Sequence, residues 1–379
     1  MRKQSVFSIS DSERAFLNLP ESGRSPIAAT YSVYIPGEGD YHFNLGVSSA
    51  QFCGKLYAFW KSSPRDEDTA EDTVVRYSYS GDGGKNWCES KILCQAGADG
   101  FLRAPGSCYC DGRRLIVYVQ KVSTYYGEGD TFTECYMTED GEHFSGPAVL
   151  MRQMPEGGEE VLPAAASGMV LRCRSGRLIM GFQGNIDRYH RRQFVTQMYY
   201  ADCPDGISGW RKADFPLLER PGEGQGAEIE PGYYQRKDGA IVVALRDMNG
   251  GGFVLASVSY DNGEHYTLSQ STNLPDSGSM QCGGTLPGGT AFFVNNPNQK
   301  ERIPLALHLS KEGELFDKSV VLRGREDLQK RRYVGKYKNE GYSYPSAGIY
   351  DNCLYVFYAV NKEDIEVTVI PCPDLKHMV

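Results

Sequence analysis

Six stretches of the chain share one pattern, a turn rich in Gly, Asp or Asn followed by a run of apolar residues. They are "CGKLYAFW" (53–60), "CDGRRLIVYV" (110–119), "RSGRLIMGF" (174–182), "KDGAIVVAL" (237–245), "PGGTAFFV" (287–294) and "YDNCLYVFY" (350–358). Each run is short and rich in β-branched and aromatic residues, which marks a buried strand entered by a tight turn. The turns recur roughly every 50 to 65 positions, the period of a supersecondary repeat. Further strand-like runs, "TVVRYSYS" (73–80), "TFTECYMT" (131–138) and "GFVLASVSY" (252–260), follow in step, so each repeat holds more than one strand. No helical periodicity alternates with these runs, which argues against a parallel α/β architecture.

A second motif runs in phase with the first. Ser80-Gly-Asp82-Gly-Gly84-Lys-Asn-Trp87 has the form S-x-D-x-G-x-x-W and recurs as Ser259-Tyr-Asp261-Asn-Gly263-Glu-His-Tyr266. Degraded copies stand at Glu139/Gly141/Phe144 and around Gly313/Phe316. The residue types suit a β-turn: Asp accepts turn amides, Gly takes a positive φ, and the aromatic plugs the sheet edge. Six repeats of about four short strands predict an all-β fold, a six-bladed β-propeller of four-stranded antiparallel blades. The expectation is one domain over residues 1–379, with the segment at about 1–40 helping to close the last blade. Strand ends from several blades would then converge on a shallow bowl.

Composition narrows the function. The 25 tyrosines and 43 glycines among 379 residues suit short strands and many turns. A net charge of −8 offers no basic excess for nucleic acid. Eleven cysteines without framework spacing read as reduced thiols, most of them in the core. No secretory leader or membrane-length apolar run stands out, so the expected location is cytoplasmic. The six histidines form no HxxxH pair, and neither a metal nor another cofactor is expected. "GEGQGAE" (222–228) opens no helix and is not a phosphate cradle. "DRYHRRQF" (187–194) is a basic cluster that could meet an anionic substrate, and His42 and His190 could line the bowl, though each also suits a solvated surface.

The stretch "EPGYYQRKDGAIVVALRD" (230–247) puts Glu230 before one strand and Arg246 at the end of the next, so both lie at one edge of a hairpin. With the S-x-D-x-G-x-x-W turns, this stretch resembles the sialidase (neuraminidase) superfamily from about residue 40 onward. The resemblance implies a clamp of arginines for a substrate carboxylate, a tyrosine nucleophile activated by a glutamate, and an aspartate acid/base. Glu230 and Arg246 match the family's glutamate-to-arginine hairpin, and Arg302 in "NQKERIPLALHLS" matches another clamp arginine. In "EGYSYPSAGIYDNCLYVFYAV" the nucleophile is expected at Tyr342, with Tyr344, two residues on and so on the same strand face, as the alternative. In "FWKSSPRDEDTAEDTVVRYS", Arg65 matches an arginine and Asp68 the acid/base, with Asp66 and Asp72 as rivals. One departure stands out: the family opens its first blade with an arginine, and here Asn44 falls near that position. Arg103 in "FLRAPGS" has a similar setting one blade later.

The chemistry explains these types. A phenol paired with a base attacks an anomeric carbon bearing a carboxylate without like-charge repulsion. A nearby glutamate takes the phenol proton, and an arginine fork binds two carboxylate oxygens while keeping its charge. The resemblance thus implies a retaining exo-glycosidase that releases a terminal acidic sugar from a glycan. The departure at Asn44 keeps two further readings open, a propeller glycosidase or lyase for another uronic or deoxy sugar, and a glycan-binding propeller without catalysis.

Overall fold

The computed structural model describes residues 5–17, 27–67, 70–97, 99–123, 131–185, 194–218 and 228–378. Six four-stranded antiparallel sheets follow one another along the chain as blades I to VI. Blade I runs from Phe43–Phe52, its inner strand, through Lys55–Ser63 and Val74–Ser80 to Lys91–Cys94. The inner strands of blades II and III are Phe101–Cys110 and Ala165–Arg172. Blade IV opens with Glu228–Gln235 and Ile241–Asp247, and blade V with Cys282–Thr285. Blade VI takes Tyr342–Tyr350, Cys353–Val360 and Asp364–Pro371 from late in the chain, and its outermost strand is Ala29–Tyr34. Among the described residues no helix is long and apolar enough to cross a membrane.

The core is divided among the seams between blades. Trp60 and Phe43 of blade I pack with Phe357 and Val367 of blade VI, and Tyr57 and Phe59 of blade I with Val117 and Val119 of blade II. Each seam buries a cluster of this kind, so apolar burial is what holds neighbouring blades together.

The S-x-D-x-G turns fasten these seams. In blade I the Ser80 hydroxyl donates to Asp82 Oδ1 at 2.8 Å and accepts the Gly84 amide at 2.9 Å, while Asp82 Oδ1 accepts the Asn86 amide at 2.9 Å. Ser259, Asp261 and Gly263 repeat this in blade IV. The degraded copy in blade II is built on Thr138 and Asp140 rather than Glu139, with Thr138 Oγ1 accepting the Gly141 amide at 2.9 Å. Blade III carries a related turn missed in the sequence: Asp205 Oδ1 accepts the amides of Ile207 and Ser208, and Trp210 is fully buried. At four seams a tyrosine hydroxyl from one blade donates to the carbonyl of a turn glycine in the next. The pairs are Tyr57–Gly141 (2.8 Å), Tyr118–Gly206 (2.6 Å), Tyr234–Gly313 (2.8 Å) and Tyr355–Gly83 (3.2 Å). Gly141 is doubly constrained, because its φ is +76° and a Cβ there would lie 2.5 Å from the Tyr57 hydroxyl.

Residues 5–17 pack on the seam between blades IV and V, through Val6, Phe7, Ile9 and Leu17. Ser8–Ile9 pairs in parallel with Leu315–Phe316, and Ile9 exchanges two hydrogen bonds with the Asn273 side chain. Phe7, 1% exposed, sits among Tyr234, Phe293 and Phe316 with ring centroids 5.5–6.4 Å apart. Phe7→Ala should therefore cost about 3–5 kcal/mol, the usual loss for a buried aromatic. Urea unfolding measures this, and a loss under about 1 kcal/mol would mean that Phe7 is not part of the core.

Candidate functional site

At the end of the propeller where inner strands begin, blades I, IV and VI carry the same backbone device. In blade IV the register runs Ile229↔Arg246 and then Gly232↔Ala244, so Glu230 and Pro231 oppose a single residue. In blade VI it runs Ser343↔Ala359 and then Ser346↔Phe357, so Tyr344 and Pro345 do the same. In blade I the two extra residues are Gly46 and Val47. These are β-bulges whose first residue adopts left-handed backbone, at φ +67° for Gly46, +53° for Glu230 and +55° for Tyr344. Glycine takes that conformation freely, whereas Glu and Tyr pay about 1–2 kcal/mol each. Proline after each of them suits the bulge, since it has no amide to leave unpaired. The two strained positions bear the two side chains that meet.

Arg246 Nη1 donates to Glu230 Oε2 at 2.9 Å and to the Tyr344 hydroxyl at 3.3 Å. All three side chains are largely buried. Burial opposes the charge on Arg246, but Glu230 and Tyr344 outweigh it and hold the guanidinium well above its ordinary range. Burial and the Glu230 charge push the Tyr344 phenol well up, while Arg246 pulls the other way. Arg302 completes the group from blade V. Its backbone carbonyl accepts the Tyr342 amide at 2.9 Å, its Nη1 donates to Ser343 Oγ at 3.0 Å, and its guanidinium lies 5.4 Å from the Tyr344 ring centre.

Tyr342 is not part of this group. It is fully buried in the core of blades V and VI, edge-on to Tyr358, and its hydroxyl donates to the Gly324 carbonyl at 2.9 Å. Burial pushes its phenol up to about 12 against the pull of Arg323. The preference for Tyr342 over its alternative Tyr344 is thus reversed, and the two do not share one face, because the bulge at Tyr344 breaks the alternation and turns them to different surroundings. The matching Glu-Pro and Tyr-Pro dipeptides were the signal in the sequence that could have shown it.

The first-blade expectations also shift. Asp68 lies outside the described residues. Asp66 accepts the Lys336 amide at 2.6 Å, a tie between loops, and Asp72 is exposed on a short turn. Arg65 is 70% exposed, its guanidinium 3.8 Å from Asp66, and it makes no contact with the Tyr344 group. Arg103 is buried in blade II and bound to Asp99 and the Phe101 carbonyl, beside Lys121 and Glu134, so it does not join Arg246 and Arg302. Asn44 is fully buried and saturated: its amide nitrogen donates to the Tyr41 and Glu363 carbonyls, and its oxygen accepts from Trp60 Nε1 and Ser62 Oγ. His42 stacks on Tyr333 at 3.7 Å rather than lining the bowl. His190 and "DRYHRRQ" (187–193) lie outside the described residues.

Three side chains that the sequence did not single out stand at the site. Glu67, beside Asp68 in the first-blade loop, accepts from Lys362 Nζ at 2.9 Å, and its charge is felt by the Tyr344 phenol. Lys362 enters from the turn between the second and third strands of blade VI, at φ +55°. Asp276 is 3% exposed; its Oδ2 accepts the Gly278 amide at 3.0 Å, and its Oδ1 has no hydrogen-bond partner among the described residues. Burial pushes its carboxyl up to about 7, against the pull of that amide, Arg246 and Arg302. No group of three or more His, Cys, Asp or Glu that could hold a metal ion occurs among the described residues.

Comparison with known proteins agrees with this architecture. No curated protein matches the chain in sequence. Among solved structures, a Hadza microbial sialidase superposes with a TM-score of 0.71 at 15% identity, over 92% of this chain and 69% of the other. A point mutant of NanB sialidase from Streptococcus pneumoniae gives 0.67 at 11% identity, over 96% and 73%. A protein of unknown function from Dyadobacter fermentans gives 0.64 at 15% identity, over 92% and 100%. At such identities the likeness is one of fold. A family model described as a BNR repeat-like domain matches residues 54–356. With most of its length matched and its six blades and turn motifs in place, the chain belongs to the BNR repeat-like family.

Proposed function

We propose that the protein is a retaining exo-glycosidase that removes a terminal acidic sugar from a glycan. The observation that carries this reading is the meeting of Tyr344, Glu230 and Arg246 from two blades, on two strained bulges. Arg246 and Arg302 grip the substrate carboxylate, and the Tyr344 hydroxyl attacks the anomeric carbon. Glu230 accepts the phenol proton once Arg246 turns part of its hydrogen bonding to the ligand. The leaving oxygen takes its proton from the first-blade loop that bears Glu67 and Asp68. Water then cleaves the tyrosyl intermediate, with retention at the anomeric carbon.

Glu230→Gln and Tyr344→Phe should each lower kcat by about a hundredfold or more, the usual scale for a general base and its nucleophile. Tyr342→Phe should keep turnover and lose about 1 kcal/mol of stability, the worth of one buried hydrogen bond. A panel of fluorogenic sialosides, uronides and neutral glycosides tests the reading, with a mechanism-based fluorosugar to label the nucleophile. Label on Tyr344 is the expected result. Turnover of neutral glycosides alone, or full activity in Tyr344→Phe, would overturn it.

Asp276 gives the site a pH dependence with a definite sign. A buried carboxyl whose folded pKa is raised is at its most favourable below its unfolded value, near 4, and loses stability as pH rises through about 7. Asp276→Asn should therefore gain on wild type between about pH 4 and 7, by at most about 4 kcal/mol, and run parallel above that. Thermal melts across pH 4–9 check it. Binding of an acidic sugar should also weaken through about pH 7 in wild type, as ionised Asp276 competes for Arg246 and Arg302, and much less in the Asn variant.

A further inference from the structure

Three cations from three blades gather around Glu230 and Glu67: Arg246 of blade IV bonds Glu230, Lys362 of blade VI bonds Glu67 and lies within electrostatic reach of Glu230 and of Arg302 of blade V. Glu230 neutralises Arg246 and Glu67 pairs with Lys362, while no carboxylate lies within 4 Å of Arg302 among the described residues. Lys362 is 4% exposed, and its ammonium spends two hydrogens, on Glu67 Oε2 at 2.9 Å and on the Tyr337 carbonyl at 2.8 Å. A lysine has a third to give. Clustered cations with a shortage of buried anions are unfavourable alone and favourable around a bound anion.

The placing of Lys362 is built into the fold. The Asn44 amide donates to the Lys362 carbonyl at 3.0 Å, and the Asn44 side chain donates to the next carbonyl, that of Glu363, at 2.8 Å. The first-blade position therefore contributes no charge itself and anchors the turn that delivers one. That turn holds Asn361 and Lys362 both in left-handed backbone, at φ +56° and +55°, a strained conformation for lysine. Glu67 sits on the loop after the second strand of blade I, with its backbone carbonyl held by Lys61 and its side chain 21% exposed, so its carboxylate can turn outward without moving blade VI.

We propose that Lys362 is the third cation of the substrate-carboxylate site, exchanging Glu67 for the ligand's carboxylate when an acidic sugar binds. This rests on the acidic-sugar reading above. The exchange releases Glu67 beside Tyr344, on the loop that supplies the leaving-group proton. The Lys362–Glu67 pair thus keeps the empty site neutral there and gives way to the substrate.

Calorimetric binding of 2-deoxy-2,3-didehydro-N-acetylneuraminic acid and of its methyl ester tests the proposal. Lys362→Met should weaken the acid at least tenfold and leave the ester within about twofold, and Lys362→Arg should restore the acid. Glu67→Gln, which removes the competing carboxylate, should tighten the acid about threefold or more; this arm holds even if Lys362→Met folds poorly. If Arg246→Ala and Arg302→Ala weaken the acid but Lys362→Met and Glu67→Gln do not change it, the lysine is only a structural partner of Glu67 and the proposal fails alone. If wild type binds the acid no better than the ester, or binds neither this pair nor a uronic acid better than its methyl ester, the acidic-sugar reading fails and the proposal with it.

Discussion

At four of its six seams the ring takes its spacing from the contact between a buried tyrosine hydroxyl and the carbonyl of a turn glycine in the next blade. It ties sheets that share no strand ladder, and it can form only where glycine leaves room for the phenol. Each of these hydrogen bonds is worth about 1 kcal/mol net. Their larger effect is geometric, since each fixes the angle between blades while the apolar clusters supply the attraction. At the seam between blades III and IV, Ile179 lies against Gly263 instead, so the same close approach is made by packing alone. Five of the six seams are held this closely, which helps strand ends converge to within hydrogen-bond reach.

Within that frame the site is made by a local irregularity. Three blades break their inner ladder with the same two-for-one bulge near its start. In blade I the bulge carries Gly46 and no functional group. In blades IV and VI it carries Glu230 and Tyr344, and the strain accepted there re-aims two side chains toward one arginine. Ordinary strand geometry would leave the tyrosine hydroxyl inside the blade, which is where Tyr342 lies.

Much of the fold was legible because its signals are periodic: repeated turn-strand units and turn motifs need no knowledge of distant contacts. The closeness of Glu230 and Arg246 was legible in the hairpin edge they share, while Arg302 was picked out by the resemblance alone. Tyr342 and Tyr344 were both open, and alternation put them on one face; the bulge at Tyr344 separates them, and only Tyr344 meets Arg246. Lys362, Glu67 and Asp276 escaped notice for another reason. A lysine in a hairpin turn, one acid among several in a loop and an aspartate before a strand look like solvated surface until other blades bury them. Arg65 and Arg103 show the converse, since their sequence settings suggested a site and the fold places them elsewhere.

The sixth blade joins an early strand, Ala29–Tyr34, to three late ones. Tyr344 and Lys362 belong to that blade, and Glu67 meets Lys362 across the seam between blades VI and I. During synthesis the early strand must wait for more than three hundred residues before its partner exists, a contact of very long sequence separation and therefore slow to form. Glu230, Arg246 and Arg302 stand in blades IV and V, so the groups proposed for chemistry are brought together only when blade VI adds Tyr344 and Lys362. A chain cut short of blade VI would lack both residues, so the proposed site is complete only where the ring is.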